Sequence, residues 1–186
     1  MGLSETDICN LALMRIGQNP LSDITESSPT AIICRKYYEE TRDELIRQHP
    51  WNFALGRKEL SASTTAPDFE FSYSFPLPAD YLRVLSLYDT DYEWIIEGRN
   101  LLTNLDTVRI KYIKRITDSG IFPADFTEAL SLKLAQKLAA YLTHNFKLAE
   151  MLFQEFEIVL ARAKAADAQE GSYQALETST IINSRY

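Results

Sequence analysis

The sequence predicts an α+β protein. A helical bundle is built from both ends of the chain, an antiparallel β-sheet is inserted between them, and an extended tail follows. Apolar residues recur at helical spacing up to Gln48 and again from Phe126 to Ala163. Between these stretches the period falls to two, as it does in half-buried strands. Beyond Gly171 neither period holds. The expected boundaries are 1–52 with 116–171 for the bundle, 53–115 for the inserted β-region and 172–186 for a C-terminal arm.

Ser4 with Asp7 three residues on reads as a capping-box start. The helix that follows places Ile8, Leu11, Ala12 and Ile16 on one face. Gly17 stops it, because glycine takes the left-handed C-terminal position without strain. Gln18 to Ser28 is a polar loop. Ser28-Pro29 is an N-cap followed by proline in the first turn, and it opens a helix that should run to about Gln48. Ala31, Cys34, Tyr38, Thr41 and Leu45 face inward, while Asp43 is spaced to pair with Arg47. Pro50 ends this helix by disfavouring α geometry at His49.

Phe69-Glu70-Phe71-Ser72-Tyr73-Ser74-Phe75 alternates without a fault, which predicts a strand with four aromatics on one face. Pro76 and Pro78 should terminate it. Tyr81 to Tyr88 is a second strand. Tyr92 to Ile96 and Leu101 to Thr103 form a hairpin around Glu97-Gly98-Arg99-Asn100. Val108, Ile110 and Tyr112 alternate with Arg109 and Lys111 in a last strand. That makes about five antiparallel strands.

Phe126, Leu130, Leu134, Leu138 and Leu142 then recur every fourth position. Asn145 breaks the turn, and Leu148, Leu152, Phe156, Leu160 and Ala163 make a second stripe. So short a link predicts an antiparallel hairpin, with the two N-terminal helices covering its open side. The tail has two readings: a frayed end, or an arm anchored by Ile181, Ile182 and Tyr186 that adds to a partner surface.

Composition narrows the function classes. The chain has 186 residues, 46% of them apolar, which excludes wholesale disorder. Its 19 basic and 26 acidic residues give a net charge of −7, which argues against a dedicated duplex-DNA binder. Cys9 and Cys34 lie in apolar helical settings and read as buried reduced thiols. No apolar run is long enough to span a membrane, and Met1-Gly2-Leu3-Ser4-Glu5 lacks the basic start of a signal peptide.

Chemistry-bearing motifs are sparse. The glycines do not form a phosphate-cradling loop, and His49 and His144 lack metal-ligand spacing. Asp89, Asp91 and Glu93 form one acidic constellation. As a calcium loop it fails, because Trp94 stands where the sharp turn needs glycine. As paired carboxylates it could serve a hydrolase, but no partner group supports that. The stripe Phe69, Phe71, Tyr73 and Phe75 could stack single-stranded bases. Its interleaved Glu70, Ser72 and Ser74 fit a buried sheet face better than a basic groove. Arg109, Lys111, Lys114 and Arg115 form a local basic cluster on the last strand.

Several stretches carry a resemblance. Ile8-Cys9-Asn10 with Ile16-Gly17 opens the chain. Tyr38, Arg42-Asp43-Glu44-Leu45 and His49-Pro50-Trp51-Asn52-Phe53-Ala54 follow. Pro78-Ala79-Asp80-Tyr81-Leu82-Arg83-Val84 enters the β-region, and Tyr112-Ile113-Lys114-Arg115-Ile116-Thr117-Asp118 with Phe122 and Phe126 leaves it. In order and spacing these stretches, spread over residues 8–170, resemble the tail tubular protein A family, the head-to-tail adaptors of short-tailed bacteriophages.

The resemblance implies a twelve-fold homo-oligomeric ring below the portal protein, continuous with the tail nozzle protein. It implies a virion component, assembled in the host cytoplasm, with no enzymatic activity, cofactor or membrane contact. Double-stranded DNA would pass through without specific binding, a task that an acidic subunit suits. Pro50, Trp51 and Phe53 would form a structural junction between bundle and sheet. Thr180, Ile181, Ile182, Arg185 and Tyr186 would belong to an arm reaching into the portal.

Overall fold

The computed structural model describes residues 2–88 and 92–170. Helix α1 (Glu5–Arg15) starts at Ser4, whose hydroxyl accepts from the Asp7 N–H while the Asp7 carboxylate accepts from the Ser4 N–H. It ends in a Schellman motif. Gly17, at φ 71°, donates to the Met14 carbonyl, and the Gln18 N–H donates to that of Leu13. The buried face carries Ile8, Cys9, Ala12 and Leu13. Leu11, expected in that stripe, is 38% exposed, because Cys9 and Leu13 fill the positions against the core.

Helix α2 (Pro29–Gln48) is capped by Ser28, whose hydroxyl accepts from the Ala31 N–H. The chain turns extended at His49 before Pro50. Helix α3 (Ala124–Leu138) buries nine residues, from Phe126 to Leu138, and packs against α1, α2 and the final helix. A π-type turn (Ala139–Thr143) and a left-handed His144 at φ 52° lead into α4 (Phe146–Gln169), capped by the Asn145 side chain. The two helices form the expected hairpin, with α1 and α2 covering α3.

The inserted region is antiparallel but holds two sheets rather than one. Strands β1 (Leu55–Leu60), β3 (Tyr81–Leu87) and β6 (Val108–Lys114) pair in the order β1-β6-β3. Strands β2 (Tyr73–Pro76), β4 (Trp94–Glu97) and β5 (Asn100–Thr103) pair in the order β2-β5-β4. Gly98, at φ 56°, opens the two-residue turn joining β4 to β5.

The faultless aromatic alternation over 69–75 does not become one strand. Glu70 sits at φ 71°, which breaks the extended backbone, and Phe69 is 80% exposed. Only Phe71 and Phe75 of the four aromatics are buried. Pro76 lies within β2, opposite Asn100, where an edge strand tolerates its missing N–H.

Two cores result. One joins all four helices to Ile113 and Ile116. A smaller one lies between the sheets, around Phe75, Leu101, Val108 and Ile110. The thiols of Cys9 and Cys34 are buried in the first. The hydrogen bond it shares with Cys34, reinforced by burial, keeps the Cys9 thiol protonated far above its usual range. No helix among the described residues is long and apolar enough to cross a membrane.

Candidate functional site

A cluster of side-chain contacts forms the joint where the chain leaves the bundle for the β-region. It is built around the segment that leaves α2. Trp51 is buried, and its indole N–H donates to the Leu45 carbonyl at 3.0 Å, so the ring is anchored to the helix it follows. Its ring meets Phe126 of α3 edge-on, with centroids 5.1 Å apart. Phe53 packs on Phe126 and Phe122 at 4.9 and 5.6 Å. Pro50 is exposed and acts by stopping the helix rather than by packing. Trp51 and Phe53 thus pack on α2, on α3 and on Phe122 just before α3, within the core of the bundle.

Asp167, near the end of α4, fastens the same segment from the other side. It is buried, and its Oδ1 accepts from the Asn52 N–H at 2.9 Å. Its backbone carbonyl accepts from the Asn52 side-chain amide at 2.6 Å, and its Oδ2 lies 3.2 Å from His49 Nε2. Burial lowers the His49 pKa below its ordinary value, with smaller contributions from Lys164 and Arg83. The pull of Asp167 opposes this without reversing it.

A second set of bonds ties α2 to the strands. Asp43 accepts from Arg42 at 2.9 Å and from Arg115, just past β6, at 2.6 Å. Arg42 is nearly buried, and its guanidinium lies over the Tyr38 ring at 5.8 Å. Arg47 donates to the Leu82 carbonyl of β3, rather than pairing with Asp43 as the helical spacing predicts. The nearby Arg115 guanidinium captures Asp43 instead. At the far side of this joint the Arg115 N–H donates to the Asp80 carbonyl, and Tyr112 lays its hydroxyl 3.3 Å from the Asp80 carboxylate. Gly56 is required where the Tyr112 ring crosses β1, because an added Cβ would sit 2.7 Å from it.

Of the other candidates, Glu93 lies just before β4, where its carbonyl accepts from the Thr103 hydroxyl. Asp89 and Asp91 fall outside the described residues, as do Thr180, Ile181, Ile182, Arg185 and Tyr186. Among the described residues no cluster of three or more His, Cys, Asp or Glu side chains could hold a metal ion. The anchoring roles of Asp167 and Asp80 are not visible in the sequence. Asp167 meets partners 115 and 118 positions away and sits in an unremarkable helix end.

No family model matches this chain. A search of curated proteins finds no match either.

Proposed function

We propose that the protein is a structural head-to-tail adaptor of a short-tailed bacteriophage, similar to tail tubular protein A. In this reading it forms a homotypic ring between portal and tail nozzle, and double-stranded DNA passes through that ring unread. The supporting observation is convergence. The stretches that carry the resemblance are far apart in the sequence, yet they meet in two sets: Trp51 and Phe53 with Phe122 and Phe126, and Asp43 with Arg115, whose N–H reaches Asp80 beside Tyr112. Their shared work is mechanical. They fix the angle between a helical body and a β-region, as a ring subunit with differently engaged faces requires.

The arm belongs to the same proposal. Thr180, Ile181, Ile182, Arg185 and Tyr186 offer apolar anchors among small polar groups, a pattern suited to strand-like docking. Truncation after Gly171 is expected to leave stability within about 1 kcal/mol of the parent. Co-sedimentation with the portal of the same phage should fall severely. Full attachment by the truncated chain would refute the arm. Failure of the intact chain to co-sediment would refute the adaptor.

A further inference from the structure

Between α1 and the first turns of α3 lies a groove of about 340 Å³, walled by Leu3, Leu11, Phe122 and Ala124. Its N-terminal wall is fixed, because the Leu3 carbonyl accepts from the Ser119 hydroxyl at 2.8 Å and Ser4 caps α1 one residue later. The hydroxyls of the groove are already used. Thr127 donates to the Pro123 carbonyl and Ser131 to the Glu128 carbonyl. Arg15, also on the wall, is held by Glu155 at 3.1 Å and by Glu128 at 3.9 Å. What the groove still offers is apolar surface, since Leu3 is 41% exposed and Leu11 38%.

The described chain ends beside this groove. Glu170, its last residue, lines a small pocket with Pro123 and Asp125, and Ala124, which lies between those two in sequence, lines the groove. Residues 171–186 continue from that point. Their first apolar side chains are Tyr173, Ala175 and Leu176. Six extended residues reach up to about 20 Å. The helix to be crossed is about 10 Å wide. A tethered segment also meets the groove at an effective concentration of about a millimolar or more, so a small contact suffices to hold it.

We infer that the root of the C-terminal segment, residues 172–177, docks in the groove of its own chain, with Tyr173 and Leu176 seated on Leu3, Leu11 and Phe122. The groove then anchors the arm at its base and leaves Thr180 to Tyr186 for other contacts. The inference stands apart from the adaptor reading, because no portal takes part in it. The contact is small, so it shields the groove while adding little to global stability, in keeping with the expected effect of truncation after Gly171. A polar ligand is the less suited occupant, since Thr127, Ser131 and Arg15 are satisfied without one.

Thiol reactivity tests it. Ala124→Cys puts a small probe at an exposed position on the groove wall, while the native Cys9 and Cys34 stay buried. Its rate of reaction with a maleimide is compared in the full chain, in the chain truncated after Gly171 and in full-length Y173S/L176S. A segment docked about nine-tenths of the time slows the probe roughly tenfold. Truncation and the double substitution should both restore the fast rate. Phe69→Cys, at a position 80% exposed in the β-region, should react equally in all three. Thermal melts establish folding, and Leu11→Cys is the second probe if Ala124→Cys does not fold. Equal groove rates in the full and truncated chains overturn the inference. So does a Y173S/L176S chain that stays protected, because other residues would then cover the groove. A matching change at Phe69→Cys would assign the effect to global opening and also overturn it. Protection that fades on dilution would do the same, because the segment would then come from a second copy. None of these readouts depends on portal binding, so a failure of the docking and a failure of the adaptor are seen separately.

Discussion

Among the described residues thirty buried side chains form the core centred on the bundle, whereas nine form the core between the two sheets. In the first, α3 is wrapped by α1, α2 and α4, so nearly every side of one helix is buried. In the second, short strands enclose a thin layer, with the outer face of one sheet turning Ile113 into the bundle core and that of the other burying Ser74 and Leu102. A core this small provides little stability of its own, since few apolar contacts are available to offset chain entropy. The comparison teaches that the β-region depends on the joint. Asp43, Arg47 and Arg115 extend the order of the bundle into the strands, and Trp51 pins the connecting segment to α2 and α3.

The sharpest way to break this relation is to cut the joint. Trp51→Ala should cost about 4 kcal/mol, the usual scale for deleting a large buried ring. The loss should appear in urea denaturation as a lower midpoint for helix and sheet signals together. If the sheet signal alone moves, the joint does not couple the two regions. A cut inside the smaller core should behave differently. Leu101 is fully buried in the central strand β5, so Leu101→Ala should cost about 3 kcal/mol. Hydrogen exchange should quicken in β2, β4 and β5 while α3 keeps its protection. Equal loosening of α3 would show that the two cores form one cooperative unit.

The smallest expected effect is a pH dependence at the joint. His49 is held below its ordinary value of 6.5, so the unfolded chain takes up the proton more readily than the native one. Its contribution is complete above about pH 6.5 and is lost as the pH falls through the lower folded-state value. His49→Gln should flatten the decline in melting temperature between about pH 7.5 and 5.5. An equally steep decline in the variant would mean that another group is responsible.

The helices were legible because their signals are local. Ser4-Asp7, Ser28-Pro29, Gly17 and Pro50 act within a turn of the boundaries they set. The β4–β5 hairpin was legible for the same reason, through Gly98. Strand β1 was not, because Arg57-Lys58-Glu59 places three charges in a row on an edge strand, where no alternation is needed. The 69–75 stretch misled in the opposite way. Its alternation is real, but Glu70 turns the backbone before the strand begins. At the joint, Trp51 and Phe53 could be read as large rings beside a helix-stopping proline. Asp43, Asp80 and Asp167 could not, because their roles are set by partners brought near only by folding.

If the protein is the proposed adaptor, electron microscopy of the full-length chain mixed with its cognate portal tests that claim most directly. The account predicts a closed ring of many copies seated under the portal, with the bundle toward it and an open central channel. A complex carrying one copy per portal ring, or a protein that leaves the portal bare, would contradict it.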